Sequence, residues 1–133
     1  MKTISQKMLF LLIVSLIITS CKKEAEVDYR DVYTGNWRFI TVRTAHYGVE
    51  PSVTLYDSTL SVGIVKKGPS ANELTIRFLP DDSITLAIGT DGKLSNFPTQ
   101  YCNGEFTDNS KLHLFLRYGG LGNYSQYQIE GNK

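Results

Sequence analysis

Two cysteines, two histidines and eight tyrosines are the side chains of this 133-residue chain whose chemistry goes beyond packing and fixed charge. Cys102 and His113 are the thiol and imidazole that one hairpin, Gly104–Phe106 with Leu112–Leu116, could bring together as nucleophile and base. His113 alternates against Leu112 and Leu114, so it should point away from the core, and two unrelated residues describe the pair better. His46 and His113 lack the close spacing, further ligands and neighbouring carboxylates of a zinc site, so no metal is expected. Asp57 and the pair Asp81-Asp82 adjoin turn or strand-end signals, and turn formation explains them better than paired-carboxylate catalysis. Gly119-Gly120-Leu121-Gly122 lacks the strand-to-helix setting of a phosphate cradle and reads as a hairpin loop. No catalytic residue and no cofactor are expected, and the chain is read as a non-enzyme. Tyrosine abundance fits strand composition. The sharper reading is a binding surface, because Tyr101, Tyr118 and Tyr124 lie beside loops where a ring with a polar tip can stack on a sugar.

The cysteine with a defined chemistry is Cys21. Ahead of it come Lys2 and Lys7, the apolar run Met8–Ile18 and the small residues Thr19-Ser20; behind it come Lys22-Lys23-Glu24. About a dozen apolar residues cannot span ~30 Å of hydrocarbon as a helix, so the stretch reads as a cleaved export signal. Ile18-Thr19-Ser20-Cys21 resembles the bacterial lipobox, which implies that residues 1–20 are a lipoprotein signal peptide and that Cys21 is acylated as the new N-terminus. The expected location is the bacterial cell envelope, lipid-anchored to the outer membrane on its periplasmic or surface face.

Removing Lys2 and Lys7 from the 14 basic residues leaves 12 against 13 acidic ones. Without a basic surplus to neutralise phosphates, no nucleic-acid partner is expected. The 113 residues from Cys21 to Lys133 suffice for one domain with its own core. Acylation of Cys21 leaves Cys102 without a disulfide partner, and a small buried apolar residue is the expectation there.

Residues 21–32 read as a flexible tether, since KKEAEVDYRD from Lys22 to Asp31 holds one aliphatic side chain and no apolar period. Lys22-Lys23-Glu24-Ala25-Glu26 partly resembles a surface-sorting signal of Bacteroidetes lipoproteins; a solvated linker is the plain alternative. Residues 33–133 follow a period of two. Leu74, Ile76 and Phe78, then Ile84, Leu86 and Ile88, then Leu112, Leu114 and Leu116 alternate with polar partners as half-buried strands. Leu79-Pro80-Asp81-Asp82-Ser83 supplies a tight connection between the first two. Trp37–Thr44 is apolar on both faces, Leu60, Val62 and Ile64 form a further strand with a separate short one at Val53–Tyr56, and Tyr124–Glu130 is the last. Asp91-Gly92 predicts a type I′ turn between Ile88 and Leu94. The fold class is all-β: an antiparallel meander barrel, or barrel-like sandwich, of seven to nine strands.

Tyr33-Thr34-Gly35-Asn36-Trp37 resembles the opening of the lipocalin and calycin families, with Gly35 and Trp37 as their Gly-x-Trp motif. The resemblance implies that Trp37 closes one end of the barrel and that a basic residue from the final strands, here Arg117, lies across its ring. The lipobox with its lysines and acids, the Tyr-x-Gly-x-Trp opening, the Asp-Gly hairpin, Gly104-Glu105-Phe106 and the ending Gly131-Asn132-Lys133 together resemble short lipocalin-like lipoproteins of Bacteroidetes. What this implies is a lipid-anchored binder of a small hydrophobic or glycan ligand, with Trp37, Tyr101, Arg117, Tyr118 and Tyr124 as candidate ligand-binding residues. The alternative is a module with a filled barrel core that holds a protein partner, since rows of leucine and isoleucine can fill a narrow barrel.

Overall fold

The computed structural model describes residues 27–48, 53–95, 101–120 and 122–133, with the backbone alone for 53–56. The expected signal peptide, Cys21 and the first part of the expected tether lie outside the described residues. Eight strands follow in meander order: β1 (Gly35–Tyr47), β2 (Val53–Lys67), β3 (Glu73–Arg77), β4 (Ser83–Ile88), β5 (Lys93–Ser95), β6 (Tyr101–Thr107), β7 (Lys111–Gly119) and β8 (Tyr124–Asn132). Each is antiparallel to the next, and β8 returns to β1 to close a barrel. The fold is lipocalin- or calycin-like in this general sense. Leu74, Ile76, Phe78, Ile84, Leu86, Leu112, Leu114 and Leu116 all face inward and are buried, as their alternation predicts, while His113 is exposed.

Strand lengths are unequal, and this shapes the interior. β1 pairs with β2 from Gly35 to Tyr47 and with β8 from Arg38 to His46, whereas only Ile64–Lys67 of β2 meet β3. β5 is joined to each neighbour through two residue pairs. Strands β6, β7, β8, β1 and β2 thus form a long curled wall, and β3 to β5 complete only the end where β1 begins. At that end Trp37, Phe39, Tyr33 and Phe106 pack together, with centroid separations of 4.5 Å for Tyr33–Phe106 and 5.4 Å for Trp37–Phe106. The Trp37 indole N–H donates to the Tyr33 carbonyl at 2.9 Å, satisfying its one polar atom. Phe39 is fully buried because its direct partner on β8, Gly131, and its diagonal neighbour on β2, Gly63, are glycines: a Cβ at Gly63 would lie 2.7 Å from the Phe39 ring and collide with the Arg77 carbonyl, and one at Gly131 would lie 2.9 Å from that ring. Gly63 and Gly131 therefore give this half of the barrel its room for a large ring.

Two local expectations differ from what the chain does. β2 is one continuous strand rather than two, since thirteen consecutive pairs with β1 hold it straight through Tyr56 and Asp57. Asp91-Gly92 is not a type I′ turn: only Gly92 has positive φ (+81°), and Gly89 to Gly92 form a wider loop closed by the Gly89 N–H on the Lys93 carbonyl at 2.9 Å. The pair with both φ values positive is Asp108-Asn109, at 55° and 56°, where short polar side chains tolerate the left-handed region.

The end of the expected tether is ordered against the barrel. Tyr29–Val32 form a 3-10 turn whose Arg30 is buried, donating from Nη1 to the carbonyls of Ser70 at 2.7 Å and Glu73 at 3.1 Å. Asp28 receives Arg30 Nη2 at 2.7 Å and Lys67 Nζ at 3.0 Å, and Tyr29 donates its hydroxyl to the Ile88 carbonyl at 3.0 Å. A charged stretch docks here because each charge finds a charged or backbone partner.

Replacing Leu114 with Ala should cost about 2 to 5 kcal/mol in urea denaturation, and replacing exposed His113 with Ala about 0.5 kcal/mol or less. Similar losses at both positions would contradict the facing. The Arg30 guanidinium, and then the Arg30 backbone N–H, hold the Asp28 carboxyl well below the usual aspartate range. Its contribution to stability is complete above about pH 4, the ordinary aspartate value, and is lost as pH falls toward the depressed folded value. Denaturation midpoints should therefore decline in acid more steeply for the parent than for Asp28→Asn, which should already be less stable at neutral pH.

Candidate functional site

Cross-strand rows across the long wall show how the interior changes from one end to the other. Ser61, Phe39, Gly131, Leu112 and Phe106 form a packed row; above it lie Thr59, Thr41, Ile129, Leu114 and Gly104. The next row is Asp57, Arg43, Tyr127, Leu116 and Cys102, followed by Ala45, Ser125 and Tyr118. Along β1 and β2 these rows pass from Phe39 and Ser61 through Thr41 and Thr59 to Arg43 and Asp57, which are exposed, while Ile129, Leu114, Leu116 and Ala45 keep a buried apolar side to the upper rows. Arg43 and Asp57 lie on the inward side of β1 and β2 by parity and are solvent-exposed, so they rim the open end, where water or a polar ligand can meet them.

Tyr127 is the hub of this open end. The Arg43 guanidinium lies 5.8 Å from its ring centroid, and the rings of Tyr118 and Phe78 meet it edge-on at 5.7 and 5.9 Å. Phe78 reaches Tyr127 because the β3–β4 connection bends inward: Ser61 Oγ donates to the Phe78 carbonyl, and the Leu79 N–H donates to the Asp82 carbonyl at 3.4 Å. Burial, reinforced by nearby Tyr127, Asp82 and Cys102, raises the Tyr118 phenol above its ordinary value and keeps it a neutral donor. Beneath the cluster Thr41 is 2 % exposed, and its hydroxyl oxygen has no hydrogen-bond partner among the described residues. An unsatisfied buried hydroxyl costs ~1 to 3 kcal/mol, so its presence calls for a compensating role.

The five residues expected to bind ligand divide among three places. Tyr118 lies in the open-end cluster. Trp37 is 1 % exposed in the packed opposite end. Tyr101, Arg117 and Tyr124 are on the outer face, where Arg117 and Tyr101 are cross-strand neighbours. Arg117 does not lie across Trp37, as the family resemblance implied: its guanidinium sits 4.2 Å from the Tyr124 centroid, and His46 stacks on the same ring at 4.5 Å. Parity accounts for the difference, since Leu112, Leu114 and Leu116 face in and residue 117 must face out. Cys102 and His113 fall on opposite faces of the wall. Among the described residues no three His, Cys, Asp or Glu side chains gather into a group that could hold a metal ion.

Arg43, Phe78, Tyr127, Cys102 and Thr41 complete the open end although the sequence reading did not select them as ligand-binding residues. The signal for Arg43 was present: continuing the in-out alternation from Trp37 and Phe39 places Thr41 and Arg43 inside. An open groove of about 660 Å3 lies on the outside of β6 to β8, edged by Glu105, His113 and Glu130. Its His113–Glu130 pair is about half exposed on both sides, which leaves it weak in water.

No protein-family model, curated protein or solved structure matches the chain. The functional reading therefore rests on the barrel's own chemistry.

Burial pushes the Cys102 thiol up to about 11, leaving on the order of one thiolate in ten thousand at neutral pH. Folded protein at pH 8 should resist iodoacetamide at Cys102 over times that fully alkylate the unfolded chain, with the rate climbing as pH approaches the thiol's own value. Peptide mapping reads this, and rapid alkylation at pH 7 would place the thiol in a more polar setting.

Proposed function

We propose that this chain is a lipid-anchored bacterial cell-envelope lipoprotein, held to the outer membrane through Cys21, whose barrel binds a small ligand at its open end without chemical turnover. The observation that carries the binding part is the inward row Asp57, Arg43 and Tyr127 set over a packed core, with the unpartnered Thr41 hydroxyl just below it. A ligand with a flat apolar face would stack in the Phe78, Tyr118 and Tyr127 corner, while an anionic or hydroxyl group would meet Arg43 and the Tyr118 phenol. A small glycan or an apolar ring bearing a carboxylate has this character. The filled half of the barrel supports such a site by holding the wall rigid, rather than by enclosing the ligand. Trp37 then serves the packed end and not the ligand.

Native mass spectrometry of the mature protein, purified in detergent from its own envelope, tests this reading. The expected result is a stoichiometric small molecule that is lost on Arg43→Ala and on Tyr127→Ala but retained on Arg117→Ala. Loss on Arg117→Ala with retention on Arg43→Ala would move the site to the outer face. A bare mass accompanied by a co-purifying protein would favour the interaction module.

A further inference from the structure

The outer face of β1 and β2 presents three large apolar side chains side by side. Ile40 and Leu60 are direct cross-strand partners, and Val62 lies one outward position nearer the closed end, opposite Arg38. Leu60 and Val62 are 76 % and 75 % exposed and Ile40 is 47 % exposed. On β2 this reverses the usual economy of a strand, because the inward positions carry Thr59, Ser61 and Gly63 while the aliphatic residues face out. Contiguous exposed apolar groups of this kind mark an interaction surface.

Basic residues surround that face. Arg38 and Lys66 project from the same outer faces of β1 and β2, and Lys133 donates from Nζ to the Val32 carbonyl beside them at 2.8 Å. Arg38, Lys133 and Val62 border a cleft of about 530 Å3. The nearest outer carboxylate in the Ile40 row, Glu130, is turned to His113 on the neighbouring strand.

The chain's entry point lies at the same end. Asp28 is tied to Lys67, the last residue of β2, at 3.0 Å. Six residues, 22–27, separate it from Cys21, which limits Cys21 to roughly 25 Å from that point. Resting on the lipid anchor read at Cys21, we propose that the Ile40, Leu60 and Val62 face is a membrane-docking surface that lies against the anionic lipid bilayer holding the anchor. The aliphatic side chains enter the boundary between headgroups and acyl chains, and Arg38, Lys66 and Lys133 meet lipid phosphates. A domain held by its anchor alone would tumble; this contact fixes which side it turns to the membrane.

The test uses the full acylated chain with Leu60→Trp, Val62→Trp or, as a control on the outer face of β4, Thr85→Trp. Each is reconstituted into vesicles of phosphatidylethanolamine and phosphatidylglycerol whose acyl chains are brominated. Native Trp37 is buried in the barrel and supplies a constant background. Tryptophan at 60 and 62 should be quenched by the brominated lipid and protected from aqueous iodide, with the reverse at 85. Arg38→Gln with Lys66→Gln, or phosphatidylcholine in place of phosphatidylglycerol, should diminish the lipid quenching. Iodide quenching at 60 and 62 equal to that at 85 overturns the docking. So does protection from both quenchers, which would show a protein covering, such as a second copy, and equal lipid quenching without anionic lipid overturns the assignment of the partner. The mass of the N-terminal peptide separates the two readings: acyl chains present with iodide-accessible tryptophans removes the docking alone, whereas their absence removes the anchor and the docking with it.

Discussion

β1 is hydrogen-bonded along most of its length on both sides, to β2 from Gly35 to Tyr47 and to β8 from Arg38 to His46. That double pairing is the constraint on which the rest depends. A one-residue slip on either side would turn Phe39 and Thr41 outward and Arg38 and Ile40 inward, placing a guanidinium against Leu112 and Ile129. The register is held by size as well as by hydrogen bonds, since Phe39 fits only where Gly63 and Gly131 flank it. A ring in that gap fixes β2 and β8 against β1, and closure of the barrel follows.

The wall is less fully covered at its other end, because among the described residues β3, β4 and β5 pair only near the end where β1 begins. Among the described residues no strand faces the Arg43 and Asp57 level of β1 and β2, and both side chains are exposed there, while Leu116 and Ala45 in the same rows stay buried. Asp57, Arg43, Ser125 and Tyr118, which share these rows with Leu116 and Ala45, are residues that water tolerates. Strand length thus divides the interior into a part that supplies stability and a part that does not need to. Thr41 marks the boundary, buried with a hydroxyl that has no partner among the described residues.

Much of the lower half was legible in the sequence because buried strands there alternate cleanly, from Leu74–Phe78 to Leu112–Leu116, and parity alone put His113 outside. The open end was hard to read for the same reason it is interesting. Arg43 and Asp57 are charged, and charged residues in strands are assigned to the solvent face unless neighbours fix the count. β2 misled more directly, because Leu60 and Val62 look like a buried face and are the exposed one; only pairing with β1 reveals that Thr59, Ser61 and Gly63 look inward. Arg30 was read as part of a solvated tether since nothing local shows that the carbonyls of Ser70 and Glu73, forty residues away, would receive it.

The cap and the open end lie at opposite ends of β1, and this separation has a functional sense. Asp28, Arg30 and Lys67 lock the incoming chain at the closed end, about ten strand residues from the Arg43 level on β2, or roughly 30 Å along the strand. The chain thus enters the barrel at the end opposite the mouth. Docking through the outer face of β1 and β2 would add orientation without covering the mouth, since Ile40, Leu60 and Val62 point outward while Arg43 and Tyr127 point into the barrel. The proposed attachment and binding would then occupy opposite faces of the same two or three strands, and β1 would join them: its outward side chains would meet lipid and its inward ones the ligand, with one set of backbone hydrogen bonds keeping both in register.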